Sequence, residues 1–286
     1  MLAITAANGK LGQAVIAELQ KNVAPANVRL TARSTEKLGD LNSLGFEVAR
    51  ADYDDPASME KAFSGIETLL LISGAGPNEV RIANHRAAID AAKKVGVKKV
   101  VYTSFTNPVP GSKFILAVPY VDTEAYLKAS GLTYIILRDN QYASNLDSLL
   151  AQAKESGVFA IPGANGKVAY ITHGDVAAAV VGALTGKAKD NSIYELTGPE
   201  SFDAHDIATV LSQELSKEIA VVDATLDSFA EYFRSIGMPE FLAEGLTSIY
   251  AASGAGEYAS VSNDATTLAG RPATSLRDYI RSYLKH

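Results

Sequence analysis

Three groups of residues in this chain have types and spacings that could do chemistry. The first is a glycine turn in the opening segment Leu2-Ala3-Ile4-Thr5-Ala6-Ala7-Asn8-Gly9-Lys10-Leu11-Gly12. An apolar run leads in, and Leu11, Val15, Ile16 and Leu19 lead out at helical spacing. Strand, glycine turn and helix in that order suit the pyrophosphate of a dinucleotide. Gly9 lets backbone approach a phosphate with no Cβ between them, and Gly12 lets the helix pack close to the strand. The helix start offers free N–H groups at the positive end of its dipole. Thr5, Asn8, Gly9, Lys10, Leu11 and Gly12 are therefore candidate cofactor contacts. The segment departs from G-x-x-G-x-x-G in having Ala6 at the first position.

The second group sits at the ends of the following strands. About 20 residues past such a turn, an NAD site carries an acid for the ribose 2′-hydroxyl. Here the chain reads Leu30-Thr31-Ala32-Arg33-Ser34. An arginine can grip a 2′-phosphate that an acid would repel, so Arg33, with Lys37 one turn on, favours NADPH over NADH. Ser34 and Lys37 also spell an S-x-x-K string, but Ser34 reads better as a helix N-cap than as a nucleophile. Asp52 and Tyr53 follow the third strand, where an acid can reach the adenine amino group. Ser73 and Gly74 follow the fourth, where small residues let a cofactor pass close to backbone.

The third group is Tyr120 and Glu124, one helical turn apart. A lysine at the second position would lower a tyrosine pKa from about 10 toward neutrality, whereas a carboxylate raises it. Other chemistries find no support. The four histidines, His85, His173, His205 and His286, form no metal pair at helical spacing and read as structural or surface residues. No cysteine is present, which removes thiol nucleophiles, disulfides and Cys-based metal sites. Neither a G-x-S-x-G elbow nor a Walker A run occurs, so no metal, hydrolase or P-loop chemistry is expected.

The elements that position these groups alternate. Apolar runs predict strands over 2–5, 28–31, 46–49, 68–72, 99–103 and 133–137. Helical patterns fall between them, at 35–44, 82–95 and 121–129 among others. Strand and helix in alternation mean βαβ units and a doubly wound parallel sheet, an α/β Rossmann fold. Past residue 140 the rhythm loosens. A turn is expected at 163–166, helices at 174–184 and 206–215, strands at 193–196 and 219–222, and a mainly helical tail from 227. This predicts a smaller α/β C-terminal substrate lobe over the C-terminal edge of the sheet.

With 286 residues the chain can bury a sizeable core, and 47% hydrophobic against 20% charged residues excludes disorder. A net charge of −6 gives no broad field for nucleic acid or an anionic membrane. The N-terminus lacks a signal-peptide pattern and no long apolar window suggests a transmembrane span, so a cytoplasmic location is expected.

These residues resemble the NmrA-like branch of the atypical short-chain dehydrogenase/reductases over essentially the whole chain. The markers are the turn from Thr5 to Gly12, Arg33, Ala51-Asp52-Tyr53, Tyr102-Thr103-Ser104, Thr123-Glu124 before Leu137-Arg138, and Thr172-His173-Gly174-Asp175-Val176-Ala177. Within the branch the chain is most similar to bacterial NAD(P)H:quinone oxidoreductases and triphenylmethane dye reductases. The resemblance implies an NADPH-binding domain over 1–140, completed by segments near 168–198, with the rest of 141–286 as substrate lobe. It adds Thr103 and Ser104 to the cofactor contacts.

Typical short-chain dehydrogenases use Tyr-x-x-x-Lys, and Glu124 in place of the lysine argues against an alcohol dehydrogenase or a sugar epimerase. What remains is hydride transfer needing little acid–base help, which suits a small-molecule quinone-like acceptor stacked on the nicotinamide. Tyr120 is the catalytic candidate, as hydrogen-bond donor to a quinone oxygen. Phe105, Asn140, Gln141 and Tyr142 are candidates for the acceptor pocket. A homodimer is the oligomeric form held open. A rival reading is a dinucleotide-binding redox sensor without turnover, which the missing Tyr–Lys pair fits equally well.

Overall fold

The computed structural model describes residues 1–285; His286 lies outside the described residues. Seven parallel strands form one sheet in the order β3-β2-β1-β4-β5-β6-β8, the doubly wound Rossmann arrangement. In chain order they are β1 (Leu2–Ile4), β2 (Val28–Ala32), β3 (Glu47–Arg50), β4 (Thr68–Ile72), β5 (Lys99–Phe105), β6 (Thr133–Asp139) and β8 (Ser192–Leu196). Alternate residues of the central strands face opposite layers, as a sheet covered on both sides requires. Ile4, Leu70, Val101 and Ile135 pack on one side with helices α1 (Lys10–Leu19) and α7 (His173–Leu184). Ala3, Leu69, Leu71, Val100 and Ile136 pack on the other, with α3 (Pro56–Phe63), α4 (Asn78–Lys94) and α5 (Val118–Ala129).

The second lobe has its own core, built on α6 (Asp147–Ser156), α8 (Ala204–Leu215), α10 (Glu240–Gly254) and α12 (Leu276–Tyr283). A two-stranded parallel sheet of β7 (Val158–Ile161) and β9 (Ala220–Asp223) belongs to it. Phe105, at the C-terminal end of β5, packs against this core and so joins sheet to lobe.

Several local expectations differ from the structure. The helix expected over 35–44 is a 3₁₀ turn at Glu36–Leu38 followed by a five-residue α2 (Gly39–Ser43), because Gly39, Asp40 and Asn42 are poor helix formers. Ser34 does not cap it: its hydroxyl donates to the Glu36 carboxylate, and Thr35 holds the cap position. Helix α11 (Asp264–Ala269), expected within the substrate lobe, instead packs on α7 and β8. That contact is close: a Cβ on Gly182 of α7 would lie 1.9 Å from the Leu268 carbonyl oxygen.

Candidate active site

The sheet order reverses between β1 and β4, and a crevice opens beyond the C-terminal strand ends there. Two clefts of about 420 Å³ each occupy it and share Ala6, Gly74 and Ala75 as common wall. The glycine turn makes the bend between them. Ala6 adopts φ +50°, a left-handed backbone that costs a non-glycine residue about 1 kcal/mol. Its carbonyl accepts the Gly9 N–H at 2.9 Å. Gly9 itself is extended, and a Cβ there would meet only the Ala6 oxygen, at 3.3 Å. A Cβ on Gly12 would lie 2.5 Å from that oxygen and 2.9 Å from two backbone atoms of Ala7. Gly9 thus leaves room on the cleft side, and Gly12 lets α1 seat on the turn.

The first cleft brings together Thr5, Asn8, Arg33, Asp52, Tyr53 and Gly74, with Ser34 and Lys37. Arg33 is exposed and engaged in no hydrogen bond or ion pair among the described residues, so its guanidinium can meet an incoming phosphate. Asp52 is held by Arg50 at 2.9 Å. The Thr5 hydroxyl accepts the Ile72 N–H, and the Tyr53 hydroxyl donates to the Ile72 carbonyl. Both side chains therefore tie the strand ends while lining the cleft.

The second cleft brings together Gly9, Lys10, Leu11, Gly12, Ser73, Gly74, Thr103, Ser104, Phe105, Tyr120 and Tyr142. Its wall is aromatic: Phe105 lies 5.2 Å from Phe114 and 5.8 Å from Tyr120, between ring centroids. The Tyr120 hydroxyl makes no hydrogen bond among the described residues, and the Arg81 guanidinium stands 4.5 Å from its ring centre. Thr103 accepts the Ser73 N–H, and Ser104 donates to Glu124. Asn140 and Gln141 line neither cleft. Asn140 donates to the Tyr258 carbonyl and Gln141 to Ser253, so their amides hold the C-terminal segment in place.

Glu124 does not act on Tyr120 as its spacing suggests. Its carboxylate accepts from Arg138 Nε at 2.8 Å and Nη2 at 2.7 Å, and pairs with Lys128 at 3.2 Å. Burial would raise its pKa, but Arg138, with Ser104 and Lys128, outweighs burial and together they hold the carboxyl below its ordinary range. The cation beside Tyr120 is Arg81 instead.

Residues 1–280 match the NmrA-like family along nearly the full chain. The chain belongs to the NmrA-like family. Among its relatives, quinone oxidoreductase 2 of Escherichia coli is 33% identical over 280 residues, covering 98% of this chain and 97% of that one. An NAD(P)H azoreductase of Xenophilus azovorans is 26% identical over 283 residues, covering 99% and 98%. Among solved structures, an NADPH complex of the E. coli enzyme superposes with a TM-score of 0.93 over the whole of both chains. The triphenylmethane reductase of Citrobacter sp. with NADP(H) also reaches 0.93, at 29% identity, covering 99% of this chain and 100% of that one.

In this NmrA-like site three residues were given no site role by sequence reasoning. Arg81 and His85 project from one face of α4 at i, i+4 spacing, a polar pair in an alanine-rich helix that could have marked them. Arg81 is buried and donates to Ser73 Oγ and the Leu116 carbonyl. His85 is fully buried, and its Nε2 accepts the Gly74 N–H at 3.0 Å. Its Nδ1 lies 2.8 Å from Thr123 Oγ1, which already donates to the Pro119 carbonyl, so Nδ1 carries the proton. Burial, with Arg81 nearby, pushes the His85 pKa down to about 3, which fits this neutral tautomer. The reading of His85 as structural therefore holds, and what it supports is the loop after β4 that borders both clefts. The third residue, Asp139, ends β6 and lines the second cleft; a buried acid at the strand end, just past Ile135-Ile136-Leu137-Arg138, was its signal.

Proposed function

We propose that this chain is an NADPH-dependent oxidoreductase that passes hydride to a quinone or similar conjugated small-molecule acceptor. The observation that carries this reading is the continuous crevice around the glycine turn. One end offers Arg33 and Lys37, cations unpaired among the described residues, and the other an aromatic wall of Phe105, Phe114 and Tyr120. The turn fits a pyrophosphate, since Gly9 leaves free the space a Cβ would fill and the first N–H groups of α1 face it. Arg33 and Lys37 hold the 2′-phosphate, Asp52 and Tyr53 border the adenosine, and Ser73, Gly74, Thr103 and Ser104 border the nicotinamide half. When bound, NADPH supplies the hydride. The protein binds and orients it, excludes water with the aromatic wall, and presents the acceptor ring in stacking contact.

Support comes from the likeness to a quinone reductase and a dye reductase across both lobes, not the nucleotide-binding half alone. The proposal includes a cytoplasmic location. No helix among the described residues is long and apolar enough to cross a membrane. It also leaves room for a homodimer, which light scattering would show as twice the 30.1 kDa chain mass. The deciding experiment follows NADPH oxidation by purified protein with menadione or benzoquinone and no added flavin, corrected for the uncatalysed reaction. Tight NADPH binding with no turnover across quinones and dyes would replace this reading with that of a redox sensor.

A further inference from the structure

Reduction of a quinone takes up one hydride and one proton, so the site needs a source for the proton. Tyr120 is poorly placed to be its store, because no acid or base stands behind its hydroxyl. The opposite side of the same cleft holds a better arrangement. Asp139 is 3% exposed and lines the cleft. Its Oδ2 lies 2.7 Å from the Tyr142 hydroxyl, while Oδ1 is buried; among the described residues Oδ1 meets no hydrogen-bond partner and no cation pairs with the carboxyl. Tyr142 lines the cleft too, and its ring is stacked on His173 at 3.9 Å between centroids, which fixes the hydroxyl in place.

We infer that Asp139 and Tyr142 form the proton donor of the reaction, Asp139 storing the proton and Tyr142 delivering it to the acceptor oxygen. The inference rests on the proposed function and goes beyond it. A buried carboxylate with one donor and no counter-charge is unfavourable, so Asp139 keeps its proton. Burial pushes its pKa up to about 7, with the Tyr142 hydroxyl pulling weakly the other way. Protonated Asp139 donates to Tyr142 Oη across the 2.7 Å contact, which turns the tyrosine O–H hydrogen toward the cleft. As hydride arrives on the acceptor, the Tyr142 O–H bond breaks and an acceptor O–H bond forms. The Asp139 proton moves to Tyr142, and the carboxylate keeps the electron pair. The same contact then runs in reverse, with Tyr142 donating to the carboxylate, until solvent restores the proton.

The remaining charged groups around the pair do not supply a competing proton. From α5 comes Tyr120. From the start of α7 comes His173, whose pKa is lowered first by burial and then by Lys10 of α1, with Asp147 of α6 opposing. Arg138 and Glu195, next to the pair on β6 and β8, bind each other at 2.9 Å, and Arg138 also holds Glu124 of α5. Phe105 and Leu196, the β5 and β8 partners of Asp139, carry no charge.

A cationic triphenylmethane dye accepts hydride at carbon and needs no proton, so the two acceptor classes separate the steps. The test measures menadione and crystal violet reduction by the wild type, Asp139→Asn and Tyr142→Phe, with NADPH affinity from fluorescence titration. Expected is a fall of roughly tenfold or more in the menadione-to-dye rate ratio for both variants, with NADPH affinity within about threefold of wild type. Wild-type menadione turnover should decline as pH rises through about 7, and that of Asp139→Asn should not. Without cofactor, wild-type thermal stability should decline between about pH 4 and pH 7 relative to Asp139→Asn, since the raised carboxyl pKa favours the fold only while it is protonated. An unchanged rate ratio, or ratios unchanged because both activities fall with NADPH affinity, overturns the inference. So does an identical stability profile, whatever the acceptors show. A wild type that reduces neither acceptor overturns the proposed function instead.

Discussion

Gly9 and Gly12 stand three residues apart in one turn, yet the structure gives them different work, and alanine at each should fail differently. At Gly12 the added methyl meets the Ala6–Ala7 backbone at three atoms, at 2.5, 2.9 and 2.9 Å. Backbone cannot rotate away as a side chain can, so α1 must shift or the turn must open. Overpacking of this kind costs about 1–3 kcal/mol, and three contacts inside 3.0 Å place Gly12→Ala near the upper end. For a chain of this length that corresponds to a fall of about 6 °C in Tm. At Gly9 the single contact is 3.3 Å and the backbone is ordinary, φ −80° and ψ 167°. Strain there is small and is offset by the about 0.4–1 kcal/mol that Gly→Ala returns through the unfolded chain. The methyl on Gly9 instead narrows the approach of the pyrophosphate, and NADPH affinity should fall by about tenfold or more, some 1.4 kcal/mol. Thermal unfolding without ligand and fluorescence titration with NADPH read the two effects separately. Equal Tm losses in the two variants, or a Gly12→Ala protein as stable as wild type, would refute this account of the turn.

Arg33→Ala should weaken NADPH by about 1–3 kcal/mol and leave NADH nearly unchanged; parallel losses in a titration with both would remove Arg33 from the 2′-phosphate. Tyr120→Phe should lower menadione reduction modestly, and a drop beyond about a thousandfold would make Tyr120 the general acid. His85 is held neutral when folded, so the unfolded chain takes up a proton that the fold does not as pH falls from 6.5 toward 3. Stability should drop by a few kcal/mol across that window, and His85→Gln should flatten the loss; an unchanged acid slope in the variant would be the contrary result.

Much of the fold was legible because parallel strands buried on both faces leave unbroken apolar runs, such as Leu69-Leu70-Leu71-Ile72. That the candidate cofactor residues share one crevice was legible for a related reason: they sit at strand ends, where type and spacing follow from topology. Three kinds of feature were not. Helix α3 is short, and its start signal lies in the cap, where Asp55 accepts the Ser58 N–H ahead of the apolar face. Asn140 and Gln141 follow a strand end as the cleft-lining residues do, but their partners Tyr258 and Ser253 are more than 100 residues away, a pairing no local pattern announces. Glu124 looked like a neighbour of Tyr120 because both share a helix. Only the fold shows that Arg138, across on β6, claims its charge.

Anaerobic mixing of the NADPH-loaded protein with one equivalent of menadione, without flavin, tests most directly whether hydride passes from NADPH to a quinone at the crevice between turn and aromatic wall. The expected result is loss of the NADPH absorbance band with one hydroquinone formed per NADPH consumed. NADPH that stays bound and reduced over the same interval would contradict it.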